Sequence, residues 1–231
     1  MSSIVFWRSS RGALIFSLTI FSTFACFASM TQADDPGPVV RVEEDWTLEI
    51  IEPAYDDTSP QITNTISPAT NLDCKFGLFE INHGTQPDYR DGGLELQIWD
   101  RDQRVNYRRH SNTNRLSYRD EVVRYTIAMS IQNAFDGSNR LRFDVKNGSS
   151  QTWGVFGNPE SIGCSIPTLR DDLRYYSPKF SVDNSKVGYA SFRVRKYALI
   201  AVRYYDSQGL IRTDTTERIA HQYTNNVVIS E

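Results

Sequence analysis

The sequence has little cysteine, little histidine and no excess of positive charge. Of its 231 residues, three are cysteine and three are histidine, and the formal net charge at pH 7 is −3. Three cysteines are too few for a disulfide-dense scaffold. The acidic balance argues against a broad basic surface, so we do not expect nucleic acid as a partner. What remains is a globular composition with 39% hydrophobic residues.

The common short signatures of catalysis are also missing from the sequence. His83, His110 and His221 are far apart, and the chain has no H-x-x-x-H or C-x-x-C pair that would suggest a metal site. It has no G-x-S-x-G elbow, no P-loop and no Rossmann glycine pattern. The sequence therefore assigns no catalytic residue and favours a protein that is not an enzyme.

The N-terminus has the features of an export signal. Arg8 and Arg11 precede an uncharged apolar run at residues 13–28, and a small-residue cleavage site ends at Ala33. This order predicts a signal peptide over residues 1–33 and a secreted or periplasmic protein. An uncleaved anchor is disfavoured because the run is shorter than the ~20 residues of a spanning helix. Acylation of Cys26, as in a lipoprotein, is a further alternative.

The rest of the chain shows period-two hydrophobic alternation, which is typical of half-buried antiparallel strands. The alternating segments are 41–50, 93–100, 122–131 and 141–146. Asn147-Gly148 follows the last of them and predicts a tight hairpin turn. We expect an all-β antiparallel sandwich of the jelly-roll or concanavalin-like type, with a barrel as the alternative.

No segment after the predicted signal peptide is apolar enough to span a membrane, so we expect that the mature chain does not cross one. After a short flexible N-terminus at residues 34–38, residues 39–231 are expected to form a single domain.

Two sequence blocks resemble known proteins. FEINHGTQPDYRDGGLELQIWD (79–100) and NGSSQTWGVFG (147–157) resemble an uncharacterised family of secreted bacterial hypothetical proteins. The overall strand pattern is similar to laminin G and concanavalin A-like sandwich domains. The first resemblance implies no function, and the second implies a fold class only.

One strand has the composition of a glycanase active site. Glu43, Asp45 and Glu49 share one face of the segment EEDWTLE, which resembles the E-x-D-x-x-x-E strand of concanavalin-like endoglycanases. In such enzymes two carboxylates act as nucleophile and general acid. The same residues also fit the polar face of an ordinary amphipathic strand, because Trp46 and Leu48 lie on the other face.

Two tryptophans suggest a platform for a sugar ring. Alternation places Trp99 on the polar face with Glu95, and a two-residue turn at Asn147-Gly148 would pair Arg142 with Trp153. Tryptophan on a polar face suits the apolar C–H face of a sugar, whose hydroxyls the polar neighbours can bind. Core packing, or a cation–π contact with Arg142, is the alternative for Trp153.

Three further features concern charge, metal and cysteine. The basic run at residues 101–119, which contains Tyr107 and Tyr118, is expected to be a solvated loop, with an anionic polysaccharide surface as the alternative. Two oxygen-rich turns, at residues 100–102 and 136–139, are compatible with calcium, but solvated turns with internal hydrogen bonds are the favoured explanation. Cys74 and Cys164, which remain after cleavage, predict a disulfide, with two separate buried thiols as the alternative.

These observations lead to three functional hypotheses. The first is a secreted, non-catalytic module that binds an extracellular glycan or another cell-surface component. The second is a glycoside hydrolase or lyase on a concanavalin-like fold. The third is a structural protein of the cell envelope.

Overall fold

The computed structural model describes residues 37–52, 59–83, 92–157 and 162–224. The predicted signal peptide and Cys26 lie outside these residues, so export stays a prediction. The described chain is built from β-strands, together with one short helix, α1 (Pro178–Asn184), and a single 3₁₀ turn (Ser191–Arg193). The strands are β1 (Arg41–Ile50), β2 (Gln61–Ile66), β3 (Lys75–Ile81), β4 (Leu94–Asp100), β5 (Gln103–Arg109), β6 (Val122–Asn133), β7 (Asn139–Ser150), β8 (Gly154–Phe156), β9 (Ile162–Thr168), β10 (Lys186–Tyr189), β11 (Val194–Tyr205), β12 (Leu210–Asp214) and β13 (Arg218–Gln222).

The strands form two antiparallel sheets. The larger sheet has the order β12-β11-β1-β6-β7-β8, with β13 also paired to β11 and β9 also paired to β7. The smaller sheet has the order β10-β2-β3-β4-β5. The all-β sandwich predicted from the alternation is therefore confirmed. The barrel alternative is wrong, because the described strands form two sheets that do not close on each other.

The hydrophobic core lies between the sheets and follows the alternation of the sequence. From the larger sheet, Val42, Trp46 and Leu48 of β1 are at most 1% exposed. From the smaller sheet, Phe79 of β3 and Leu96 of β4 are fully buried. Burial of each such side chain contributes about 1.5–3 kcal/mol, so the alternation fixes which face of each strand turns inward.

The hairpin predicted at Asn147-Gly148 is wrong. Both residues lie inside β7, where the pairing register with β6 shifts between Arg124 and Thr126. Asn147 takes the left-handed conformation, with φ of 51°, and the backbone at Gly148 approaches the Phe156 ring. The strand therefore continues through a bulge, and the chain turns back only at residues 151–153.

The predicted disulfide between Cys74 and Cys164 is absent, and both thiols are free. Cys164 lies on β9 opposite Phe143 and faces the core. Cys74 immediately precedes β3, and its Sγ lies 3.6 Å from the hydroxyl of Ser67. The two side chains thus have separate surroundings, one on β9 of the larger sheet and the other just before β3 of the smaller sheet.

No helix in the described part of the chain is long and apolar enough to cross a membrane.

Candidate functional site

The exposed face of the five-stranded sheet carries a connected set of polar and aromatic side chains, which we call the network face. Because β3, β4 and β5 are antiparallel neighbours, their paired side chains form rows across the sheet. Three rows point away from the core: Glu80, Glu95 and Arg109; Leu78, Gln97 and Tyr107; Phe76, Trp99 and Arg104.

Glu95 lies at the centre of the network face, and its side chain is fully buried. Its Oε1 accepts hydrogen bonds from Gln97 Nε2 at 2.7 Å and from Arg104 Nη1 at 3.1 Å. Its Oε2 accepts a hydrogen bond from Arg109 Nε. A buried carboxylate requires such partners, because an unpaired charge inside a protein is very costly. The buried Glu95 therefore anchors two guanidinium groups whose side chains are partly exposed above it.

Gln97 connects this anchor to Trp99 and Glu80. Its Nε2 also donates to Glu80 Oε2 at 2.8 Å, and its Oε1 accepts from Trp99 Nε1 at 2.7 Å. Since both ends of the amide have partners, its orientation is fixed, and with it the position of the indole N–H. The network thus holds a partly exposed tryptophan in one orientation.

Tyr107 stands at the surface between the two arginines. It is 52% exposed, and the guanidinium carbons of Arg104 and Arg109 lie 4.9 and 5.6 Å from its ring centroid. Such cation–π contacts are individually weak at exposed sites, but here both cations are also held by Glu95. The hydrogen bond to Glu95 raises the pKa of Arg109 further, so the group stays charged. The network face therefore presents aromatic rings flanked by fixed positive groups.

His83 lies two residues beyond β3 and closes the network. Its Nδ1 is 2.7 Å from Glu80 Oε2, and its Nε2 is 3.0 Å from Arg109 Nη2 and 3.3 Å from Glu95 Oε2. The side chain of His83 is 22% exposed. Both ring nitrogens thus have partners within the same network.

Glu80, His83 and Glu95 have the donor types of a metal site, with candidate ligand atoms all within 4.8 Å of one another. However, both nitrogens of His83 already face network partners, and Arg109 contacts both His83 and Glu95. A guanidinium at this position repels a divalent cation. The donor set therefore fits a hydrogen-bond network better than a metal centre.

The four predicted ligand-binding residues do not come together. The structure places Trp99 and Glu95 on the network face, but Arg142 lies on the larger sheet, where it pairs with Asp144 through contacts of 2.7 and 2.6 Å. Trp153 is only 5% exposed, and its Nε1 donates to the carbonyl of Asn114 at 2.7 Å. The prediction of an exposed platform at Trp153 is wrong, because the chain turns after β7 rather than at residue 147.

Glu43, Asp45 and Glu49 lie on the solvent side of β1 in the larger sheet, where Asp45 borders a groove of about 390 Å³. Arg203 donates two hydrogen bonds to the Asp45 carboxylate, at 2.5 and 2.7 Å, and the two groups form a bidentate ion pair. Glu43 accepts hydrogen bonds from Arg203 at 3.2 Å and Lys146 at 3.1 Å. Burial alone would raise the pKa of Glu43, but Lys146 holds it below its usual value. The polar face of β1 is therefore held in ion pairs, which favours the ordinary amphipathic strand over a glycanase active site.

The two turns considered for calcium have internal hydrogen bonds or tight geometry. In the β6–β7 turn, Asp136 Oδ1 accepts from the backbone N–H of Ser138 at 3.0 Å and from its hydroxyl at 2.6 Å. In the β4–β5 turn, Arg101 takes a left-handed φ of 56° between Asp100 and Asp102. Calcium binding at either turn stays a prediction.

Sequence reasoning missed most of the network face. Residues 103–109 were expected to form a solvated loop, yet they form strand β5 beside β4. A bulge in β5 at Val105, opposite Ile98 and Trp99, brings Arg104 and Tyr107 to the same face, although their spacing of three residues would separate them on a regular strand. The available signal was the alternation of Val105 and Tyr107 with polar residues after Asp102. This signal is weak because it contains only two apolar residues, and Val105 is 47% exposed in the structure.

No family model matches the chain, and no curated protein is similar to it at a significant level. Among solved structures, the chain is similar to a double mutant of the alginate lyase Aly36B in complex with an alginate trisaccharide. The TM-score is 0.28 and the identity 8%, over 61% of this chain and 66% of that chain. A similarity this weak carries no residue or activity over to the present protein.

Proposed function

We propose that the protein binds carbohydrate on the network face and does not cleave it. The observation that carries this proposal is the half-exposed Tyr107 ring, held between Arg104 and Arg109 beside the partly exposed Trp99. Aromatic rings accept the apolar C–H face of a sugar, and neighbouring polar groups bind its hydroxyls. The network face offers both kinds of group within three adjacent rows.

Preorganisation supports binding at this face. Glu95 fixes both arginines, and Gln97 fixes the indole of Trp99. Groups that are already ordered lose less conformational entropy when a ligand binds. Since hydrogen bonds within the protein hold these side chains, more of the contact energy appears as affinity.

The state of the carboxylates argues against glycoside hydrolysis. A hydrolase needs two carboxyl groups that reach the scissile bond. Glu95 is fully buried beneath its partners, and Glu80 is 16% exposed and bonded to Gln97 and His83. Asp45 and Glu43 are held by Arg203 in the other sheet. None of these groups is placed as a free nucleophile.

A glycan array tests the proposal, run with and without calcium because calcium binding is also open. Wild-type protein should bind at least one class of oligosaccharide, and Trp99→Ala and Tyr107→Ala should each weaken that binding about tenfold, corresponding to about 1.4 kcal/mol. Tyr175→Ala is the matched control, because Tyr175 is 61% exposed and lies outside the network face. Melting temperatures should stay within a few degrees of wild type for Tyr107→Ala and the control.

Other outcomes separate the remaining hypotheses. Shortening of a bound oligosaccharide during incubation would overturn the non-catalytic part of the proposal and favour a lyase or hydrolase. A blank array with folded protein would overturn carbohydrate binding and favour a structural envelope role. Equal losses for the Tyr107 and Tyr175 variants would move the binding site away from the network face.

A further inference from the structure

The Nε2 atom of His83 faces a donor and an acceptor at the same time. Arg109 Nη2, the donor, is 3.0 Å away, and Glu95 Oε2, the acceptor, is 3.3 Å away. On the opposite side of the ring, Nδ1 faces Glu80 Oε2 at 2.7 Å. This geometry admits two hydrogen-bond arrangements, and the protonation state of the imidazole selects between them.

With neutral His83, Nδ1–H donates to Glu80, and the lone pair of Nε2 accepts a hydrogen bond from Arg109 Nη2. With protonated His83, both ring nitrogens are donors, and Nε2–H donates to Glu95 Oε2 instead. Arg109 Nη2 then loses its acceptor and meets a like charge. Its guanidinium keeps the Nε bond to Glu95 and frees Nη2 to face solvent or a ligand.

The charge of the network changes with the same proton. Arg104 and Arg109 balance Glu80 and Glu95 when His83 is neutral, and protonation adds one positive charge. The exposure is uneven, because the arginine side chains are 40% and 57% exposed, whereas the glutamates are 16% and 0% exposed. A ligand on this face therefore meets the positive groups, while the negative groups lie below them.

We propose that the network face selects sugars that carry an anionic group, and that protonation of His83 strengthens this selection by releasing Arg109 Nη2. The inference rests on the proposed carbohydrate binding. Among the residues that the structure describes, the ionisable groups that face His83 are Glu80 of β3, Glu95 of β4 and Arg109 of β5. Lys186 of β10 lies in the same row as Glu80, with Thr63 of β2 between them.

Titration calorimetry with two matched pairs of probes tests this inference. One pair is an oligogalacturonate hexamer and its methyl ester; the other is a heparin hexasaccharide and its desulfated, N-acetylated form with esterified carboxyl groups. Carboxylates and sulfates of the acidic probes are ionised at both pH 5.5 and pH 8.0. At pH 5.5 at least one acidic probe should bind about fourfold more tightly than at pH 8.0, as expected for one added charge about 5 Å away at a wet surface.

Two variants assign the effect to His83. His83→Gln cannot become charged, so whatever its affinity for the acidic probe, that affinity should be the same at pH 5.5 and at pH 8.0. His221→Gln is the matched control, because His221 contacts Ser191 on another part of the molecule, and it should keep the difference. As an independent readout, ¹⁵N chemical shifts of the His83 ring should show that the gain in affinity accompanies the change from the Nδ1–H tautomer to the doubly protonated ring.

The failures are distinguishable. Equal affinity for the acidic and neutral member of a pair, or equal affinity at the two pH values, would overturn the inference and leave carbohydrate binding intact. A pH effect that persists in His83→Gln would remove His83 from the explanation and overturn the switch. If none of these probes binds, anion selection is wrong, and carbohydrate binding fails with it only if the glycan array is also blank.

Discussion

Replacement of Glu44 by glutamine should change how the stability of the protein depends on pH. Glu44 is a strand residue of β1 that turns into the core and is 0% exposed. Its Oε2 accepts from Trp46 Nε1 at 2.8 Å, and its Oε1 accepts from the hydroxyl of Tyr176 at 2.7 Å. Burial raises the pKa of this carboxyl from 4.5 to about 7, because its hydrogen bonds only partly offset the loss of water.

The sign and size of the effect follow from linkage. A carboxyl whose pKa is higher in the folded than in the unfolded state binds its proton more tightly in the folded protein. Its protonation therefore raises the free energy of unfolding, and this contribution is complete below the unfolded-state pKa of 4.5. This contribution is lost as the pH rises through about 7. At about 1.4 kcal/mol for each factor of ten in proton affinity, the total is about 3 kcal/mol, of which about 2–3 kcal/mol falls between pH 5 and pH 8.

Urea denaturation at pH 5, 6, 7 and 8 measures the free energy of unfolding for wild type and Glu44→Gln. As the pH rises from 5 to 8, the free energy of unfolding of the variant should increase by about 2–3 kcal/mol relative to that of wild type. The histidines titrate in both proteins, so their contribution cancels in this difference. Glu49→Gln is the matched control, since Glu49 lies on the same strand and points away from the core. Parallel curves for wild type and Glu44→Gln would refute the reasoning and mean that Glu44 is ionised in the native state throughout this range.

Two further predictions concern Gly148 and the two cysteines. Gly148→Ala should destabilise the protein by about 1–3 kcal/mol in urea denaturation, because the added Cβ would lie 2.2 Å from ring carbons of the buried Phe156. Gly188→Ala, whose Cβ meets its nearest atom at 3.6 Å, should cost less than half as much, and equal losses would contradict the packing argument. Alkylation at pH 8 with peptide mapping should label Cys74 but spare Cys164 until the protein unfolds, because burial raises the pKa of Cys164 to about 12. A disulfide-linked peptide containing both cysteines would show that the free-thiol arrangement is wrong.

Some of the strands were predictable, because the signal of those strands is local. Alternation of polar and apolar residues assigned residues 41–50 to a strand, and β1 has these same bounds. The segment 141–146 lies within the longer β7, whose ends the pattern did not reveal. An Asn-Gly pair such as Asn147-Gly148 is compatible with either a hairpin turn or a β-bulge, and only the pairing with the neighbouring strand decides between them.

The candidate site was predictable only where its residues lie on one strand. Glu95 and Trp99 are four residues apart on β4, so alternation alone puts them on one face. Arg104 and Tyr107 come from β5 and reach that face through the bulge opposite Ile98 and Trp99. Register between strands depends on tertiary packing, which a single sequence does not display. For the same reason His83 had no visible partner in the sequence.

The position of β1 has a consequence for how the chain must fold. This strand is the first one of the described chain, yet it lies in the interior of the larger sheet, between β6 and β11. Its Asp45 pairs with Arg203, which is 158 positions further along the chain. One edge of β1 therefore stays without its partner strand until nearly the whole domain has been made. Closing such a distant contact carries a large entropic cost before any packing offsets it, so the larger sheet belongs to the slow-folding, high-contact-order class.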